Sequence, residues 1–136
     1  CMEPYKDRIH QLPFSGYRAY MSSLSRADIN IIPLVNNEFN SCKSAIRFME
    51  AAALGVPSIA SRVGDFENLV EHQVNGFLSN SKEQWIDLIR SLLESEDMRR
   101  DLGFRAKDYV FAECNIRSLQ DGLPRNLLSE YKVTTR

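Results

Sequence analysis

Two short apolar runs, Asp28 to Val35 (D-I-N-I-I-P-L-V) and Val56 to Ser61 (V-P-S-I-A-S), flank a helical segment, and they constrain the fold more than any other feature of the chain. Both are too short for a helix and are bounded by turn signals. Both are also apolar enough to be buried on two faces, as parallel strands covered by helices are. Pro33, with no amide hydrogen to give a ladder, places the end of the first run near an edge or a loop. Downstream the alternation continues. Asp65 to His72 reads as a short helix, Asn75-Gly76 as a turn, and Phe77-Leu78 as a minimal strand. Trp85, Leu88, Ile89, Leu92 and Leu93 then recur at helical spacing behind a cap at Ser81, with Glu83 and Gln84 in the first turn. Met98, Leu102, Ala106, Tyr109 and Val110 mark a further helix to about Glu113, and Ile116 to Tyr131 a looser one broken by Gly122 and Pro124. Upstream, Arg8 to Phe14 suggests a short strand and Tyr17 to Ala27 an amphipathic helix, with Tyr17, Tyr20 and Trp85 at core spacing. The predicted architecture is an α/β sandwich with a short parallel sheet.

Between the two apolar runs lies N-S-C-K-S-A-I-R-F-M-E-A-A-A-L-G-V-P, from Asn40 to Pro57. Asn40 or Ser41 is the expected helix cap, and Gly55 followed by Pro57 the expected stop. Lys43, Arg47 and Glu50 are spaced by four and three residues, so one helix face carries all three. Ala45, Ile46, Met49, Ala52 and Ala53 form the opposing apolar stripe. The plain reading of the charged face is a solvated stripe with an Arg47–Glu50 ion pair, worth only ~0.2–0.5 kcal/mol. Its place after a strand end favours a second reading, because ligands of parallel sheets collect outside the carboxyl ends of the strands. A helix N-terminus beside Lys43 suits an anion, and a carboxylate two turns further in suits hydroxyls. Phosphate first and sugar next describes a nucleotide.

Other chemistries find less support. Cys42-Lys43-Ser44 resembles the end of a phosphate-binding loop, but Asn36 to Ser41 contains no glycine, which excludes that motif. Cys42 near a helix start is a formal nucleophile, yet no histidine lies near it in sequence to serve as base. His72 lies beside a turn and has no assigned role, and Gly64-Asp65 is a strand-end turn that is either structural or a ligand contact. Three cysteines without a C-x-x-C pair and two histidines argue against a disulfide framework or a zinc site. A net charge of -1 with interspersed signs gives no basic footprint for nucleic acid. With 136 residues and a hydrophobic fraction of 43%, one globular domain is expected, and no apolar run approaches the roughly 18 residues of a membrane span. These features predict a soluble, cytoplasmic protein. The chain begins at Cys1, and a piece of something longer is the expectation.

Three segments taken together resemble a known family: A-D-I-N-I-I-P-L, then F-N-S-C-K-S-A-I-R-F-M-E-A-A-A-L-G-V-P-S-I-A-S, then V-G-D-F-E-N-L-V-E-H-Q-V-N-G-F-L. Their order, over about Arg26 to Cys114, is similar to the C-terminal donor-binding domain of group 1 retaining glycosyltransferases, enzymes of the two-domain GT-B fold. The resemblance implies a Rossmann-like three-layer sandwich that is an incomplete C-terminal half of that fold. Its core would cover about residues 8–113, and the segment at about 116–131 would cross back to a missing N-terminal domain. It implies that Glu50 holds the nucleotide ribose and that Ser41, Cys42, Lys43 and Ser44 receive the diphosphate, with Arg47 nearby.

In this family a second glutamate often stands eight positions before the first, near the donor sugar; here that position is Cys42. The chain thus looks like the branch reading F-N-x-x-K-S-x-x-[KR]-x-x-E of polysaccharide and surface-glycan transferases, in which Asn40 and Lys43 would take over the sugar contact. Base contacts would come from Leu12, Pro13 and Phe14, while Gly64 and Asp65 are candidate donor contacts by their place at a strand end. The implied ligand is a nucleoside diphosphate sugar with no required metal or cofactor, and the acceptor a glycan, lipid carrier or protein. Peripheral association of the full protein with the inner face of a membrane is a further expectation. The alternative is a non-catalytic α/β nucleotide-binding or interaction module, which the cysteine at position 42 favours.

Overall fold

A computed structural model describes residues 3–114 of the chain. After a 3-10 helix at Glu3–Arg8 come α1 (Tyr17–Leu24), β1 (Asn30–Ile32), α2 (Glu38–Ser41), α3 (Ile46–Ala53) and β2 (Ser58–Ser61). Then follow α4 (Phe66–Leu69), β3 (Phe77–Ser79), α5 (Lys82–Glu94) and α6 (Glu96–Glu113). The three strands form one parallel sheet in the order β1-β2-β3. Ile32 pairs with Ala60, and Ala60 with Leu78, so one register runs across all three strands. The terminal helix expected over 116–131 lies outside the described residues.

The alternation of side chains along β2 and β3 explains the three layers. Successive strand residues point to opposite faces, and here Ala60 and Leu78 join one apolar cluster while Ile59 and Phe77 join another. The first cluster packs the sheet against Ala45, Phe48 and Ala52 of the α3 segment, Phe66 of α4 and Ala106 of α6. The second packs the opposite face against Leu92 of α5 and Leu102 of α6. Every residue of β2 and β3 is buried. β1 differs from the expectation of burial on both faces: it lies at an edge of the sheet, Ile32 is buried, and Ile31 is 45% exposed. Its position is fixed by polar cross-links from β2. The Asn30 amide donates to Ser58 Oγ (3.0 Å), and the backbone amide of Leu34 donates to Ser61 Oγ (2.8 Å).

Arg8–Phe14 is not a strand. Arg8 ends the 3-10 helix, and residues 9–14 follow it as irregular, exposed chain. A strand keeps its shape through a ladder with a neighbour, and the described sheet offers this segment none.

Several local signals act as the sequence predicts. Gly55 (φ 75°) ends α3 in the left-handed region that glycine enters without penalty, and its amide and that of Val56 close on the carbonyls of Ala52 and Ala51. Ser81 Oγ accepts from the Gln84 amide, and Gln84 Oε1 in turn accepts from the Asn80 amide. Asn75 does more than turn the chain. It is buried, its Oδ1 accepting from the Glu71 amide and its Nδ2 donating to the Leu69 carbonyl. His72 also acquires a structural role that sequence reading leaves blank, because its Nδ1 accepts the Leu78 amide (3.0 Å) beside the start of β3.

Candidate functional site

The candidate residues converge on the N-terminal part of α3, which starts later than the sequence suggests. Asn37, rather than Asn40 or Ser41, is a cap, and it caps the short α2 by accepting from the Asn40 amide (2.9 Å). Asn40 is buried and donates to the Val35 carbonyl (2.7 Å), which closes the loop after β1. Ser41 donates to the Asn37 carbonyl. Lys43 thus belongs to the linker between α2 and α3, where its ammonium lies 4.8 Å from the centroid of the Phe39 ring.

α3 begins at Ala45-Ile46, and its opening amide is answered from across the fold: Asp65 Oδ2 accepts from the Ala45 amide (3.1 Å). This carboxylate sits in the loop after β2, twenty residues downstream, and no local pattern announces it. The buried face also differs from the expected stripe. Ala45, Phe48, Ala51 and Ala52 are buried, whereas Ile46 of the expected stripe is 50% exposed.

Gly64 brings the loop after β2 against α2. It has φ 56°, and a Cβ there would lie 2.5 Å from the Ser41 carbonyl oxygen. Gly64 and Asp65 therefore buttress the linker that carries Cys42, Lys43 and Ser44.

Glu50 lies on the second turn of α3 with its side chain 12% exposed. A carboxylate so little hydrated needs partners, and among the described residues it has two. Tyr20 donates its hydroxyl to Oε2 (3.0 Å), and Arg47 Nη1 lies 3.9 Å from the same oxygen. The Arg47 guanidinium also lies over the Tyr20 ring, 4.9 Å from its centroid. Burial raises the Tyr20 pKa above the ordinary phenol value; Arg47 opposes this and the Glu50 charge adds to it, so the phenol keeps its proton and remains a donor. Tyr20 is thus not the core residue its spacing suggests. No residue of α1 is buried, and Tyr17 is 63% exposed.

Two clefts meet at α3. One, of about 580 Å³, is lined by Leu12, Pro13, Phe14, Ser15, Tyr17, Tyr20, Ser23, Ile46, Arg47 and Glu50. The other, of about 470 Å³, is lined by Ile32, Leu34, Lys43, Ser44, Ile46, Arg47 and Phe66. Ile46 and Arg47 belong to both, so the Glu50 cleft and the Lys43 cleft adjoin. The exposed Ile46 thereby becomes an apolar step between them. Of the predicted site residues, the structure gathers Glu50, Arg47, Lys43, Ser44, Pro13, Phe14 and Leu12 around this pair of clefts. Asn40, Ser41, Cys42, Gly64 and Asp65 line neither; they hold the linker or, for Cys42, stand exposed as a free thiol. Tyr20 is the member that sequence reading misses, because its partner lies thirty residues away on another helix. Among the described residues no group of three or more His, Cys, Asp or Glu side chains gathers to hold a metal. None of their helices is long and apolar enough to cross a membrane.

Comparison with known proteins shows the family and the fold. The family model for glycosyl transferases group 1 matches residues 3–109. N-acetyl-alpha-D-glucosaminyl L-malate synthase of Bacillus anthracis is 33% identical over 67 residues, 48% of this chain and 18% of that protein. D-inositol 3-phosphate glycosyltransferase of Corynebacterium aurimucosum is 33% identical over 86 residues, 62% of this chain and 19% of that protein. The chain therefore spans less than a fifth of the length of these curated relatives. Among solved structures, sucrose-phosphate synthase of Thermosynechococcus elongatus aligns with a TM-score of 0.78 at 24% identity, covering 96% of this chain and 33% of that one. Anabaena HepE in complex with UDP and glucose aligns with a TM-score of 0.69 at 21% identity, covering 86% and 32%. The C-terminal domain of the group 1 glycosyl transferase LpcC of Francisella tularensis aligns with a TM-score of 0.63 at 22% identity, covering 77% and 53%. The fold is that of the C-terminal half of GT-B glycosyltransferases.

Proposed function

The chain belongs to the group 1 glycosyltransferases, and from that membership we propose that it forms the donor-binding part of a retaining enzyme. The enzyme moves a sugar from a nucleoside diphosphate carrier to a hydroxyl of a glycan, lipid carrier or protein, in the synthesis of a surface polysaccharide or glycoconjugate. One observation carries the proposal: a cleft with a nearly buried carboxylate, Glu50, adjoins a cleft with an ammonium, Lys43, across a shared arginine. In this reading Glu50 accepts hydrogen bonds from the ribose hydroxyls, and the nucleoside lies toward Leu12, Pro13 and Phe14. Lys43, Ser44 and Arg47 receive the diphosphate and stabilise it as negative charge develops on the leaving group. Asn40, Ser41, Cys42, Gly64 and Asp65 act indirectly, by shaping the linker before α3. No metal is needed for these roles. The acceptor half of the cleft is supplied by a domain outside these 136 residues, and the isolated segment is inactive. Location at the cytoplasmic face of a membrane belongs to the same proposal.

UDP is the first ligand to try, since the Anabaena HepE structures that align with this chain are complexes with UDP and UDP-glucose. Titration of UDP, GDP and dTDP into the full-length protein and into Glu50→Ala tests the ribose assignment. Losing hydrogen bonds to a charged group costs ~1.5–3 kcal/mol, or about 10- to 150-fold in affinity. Unchanged affinity in the variant would remove Glu50 from the site. A second reading, a non-catalytic binding module, is favoured by Cys42, which stands where the family often carries a glutamate and lines neither cleft. Product analysis with a radiolabelled donor separates the two.

A further inference from the structure

We infer that Tyr20 is a positioning residue for nucleotide binding, holding one oxygen of the Glu50 carboxylate and leaving the other for the ribose hydroxyls. This rests on the reading of Glu50 proposed above. Among the described residues, both partners of that carboxylate act on Oε2: the Tyr20 hydroxyl at 3.0 Å and Arg47 Nη1 at 3.9 Å. A carboxylate accepts about four hydrogen bonds, so one phenol and one more distant guanidinium leave it with capacity for a ligand. The three side chains also fix one another, because Arg47 stacks on the ring of the tyrosine that bonds its own ion-pair partner.

Packing does not account for the hydroxyl. α1 buries none of its residues, and the Tyr20 ring faces the same cleft as Glu50 and Arg47. A phenylalanine would supply the same platform for Arg47, and what it would lack is the bond to Oε2. A side chain held before the ligand arrives loses less freedom on binding, and that saving appears as affinity. The sequence hides this device, since Tyr17 and Tyr20 read as one apolar helical face and Glu50 lies thirty residues further on.

The test uses the full-length protein, Tyr20→Phe and Glu50→Ala, titrated with UDP or GDP, whichever binds more tightly, and with its 2′,3′-dideoxy counterpart. Tyr20→Phe is expected to weaken the ribonucleotide about three- to tenfold, the net worth of one hydrogen bond, and to leave the dideoxy ligand within about twofold. Equal losses for both ligands would make Tyr20 a structural staple between α1 and α3 and overturn the inference. No loss for either would overturn it too. The Glu50→Ala arm separates this failure from that of the underlying reading. If Glu50→Ala distinguishes the two ligands and Tyr20→Phe does not, only the tyrosine's role falls; if neither distinguishes them, the ribose assignment falls as well.

Discussion

Replacing Gly64 by alanine tests how the linker that carries Lys43 is held in place. Gly64 has φ 56°, and an added Cβ would sit 2.5 Å from the carbonyl oxygen and 3.0 Å from the carbonyl carbon of Ser41. Two costs follow. A left-handed backbone costs an alanine roughly 1–2 kcal/mol, and forcing an atom into filled space costs roughly 1–3 kcal/mol more. Both obstructing atoms are backbone, so no side-chain rotation relieves the contact. The sum, about 2–5 kcal/mol, corresponds to a fall of roughly 8–20 °C in Tm at about 4 °C per kcal/mol for a chain of this size. Thermal and urea unfolding of Gly64→Ala measure it. Gly64→Asn separates the two causes, because asparagine enters the left-handed region readily yet still carries a Cβ. Both variants are expected to lose at least about 1 kcal/mol, the lower bound of overpacking. An asparagine variant as stable as the parent would refute the close approach to Ser41 and leave only the backbone conformation as the reason for glycine.

Two other predictions follow from the same structure. Lys43→Ala should weaken a nucleoside diphosphate by about tenfold or more, as loss of a charge-assisted contact does, while leaving the nucleoside alone nearly unaffected; calorimetric titration of UDP against uridine reads the difference. The second concerns His72, whose pKa is lowered from its ordinary value by burial first and by the Arg62 charge second. Its Nδ1 must be unprotonated to accept the Leu78 amide. Folding therefore favours the neutral form: the contribution is complete above the unfolded-state value near 6.5 and is lost as pH falls below it through the folded value. Urea unfolding at stepped pH should show stability declining below that point, and His72→Gln should flatten the decline. An unchanged slope in the variant would assign the pH dependence to other groups.

The sequence carries the sheet more plainly than the site. β1, β2 and β3 each fall inside an apolar run that the chain displays, and Gly55, Ser81 and Asn75-Gly76 punctuate the elements through bonds to near neighbours. What sequence reading misplaces depends on partners far along the chain. The start of α3 shifts to Ala45-Ile46 because Asp65, from another loop, provides the acceptor that a local cap would have provided. That shift takes Lys43 out of the helix, and the buried face of α3 runs through Ala45, Phe48, Ala51 and Ala52 while Ile46 stands half exposed. Arg8 to Phe14 alternates apolar and polar residues imperfectly, and its Leu12, Pro13 and Phe14 line the cleft instead of a sheet. Glu50 is conspicuous in the sequence as the acid of a helical stripe. Its tyrosine partner is not, because a hydrogen bond between two helices leaves no periodic trace.

In the proposed complex the Glu50 carboxylate receives a ribose while the neighbouring Lys43 receives the diphosphate. A crystal structure of the full-length protein with a bound nucleoside diphosphate measures this directly. The expected result is a ribose hydroxyl within hydrogen-bond distance of Glu50, about 2.5–3.0 Å, with the phosphates against Lys43 and the Tyr20 phenol still on Oε2. A nucleotide seated elsewhere, for instance wholly within the neighbouring cleft of about 710 Å³ that shares Leu34 with the Lys43 cleft and reaches Arg62, Lys82 and Trp85, with Glu50 bonded only to Tyr20 and Arg47, would contradict it.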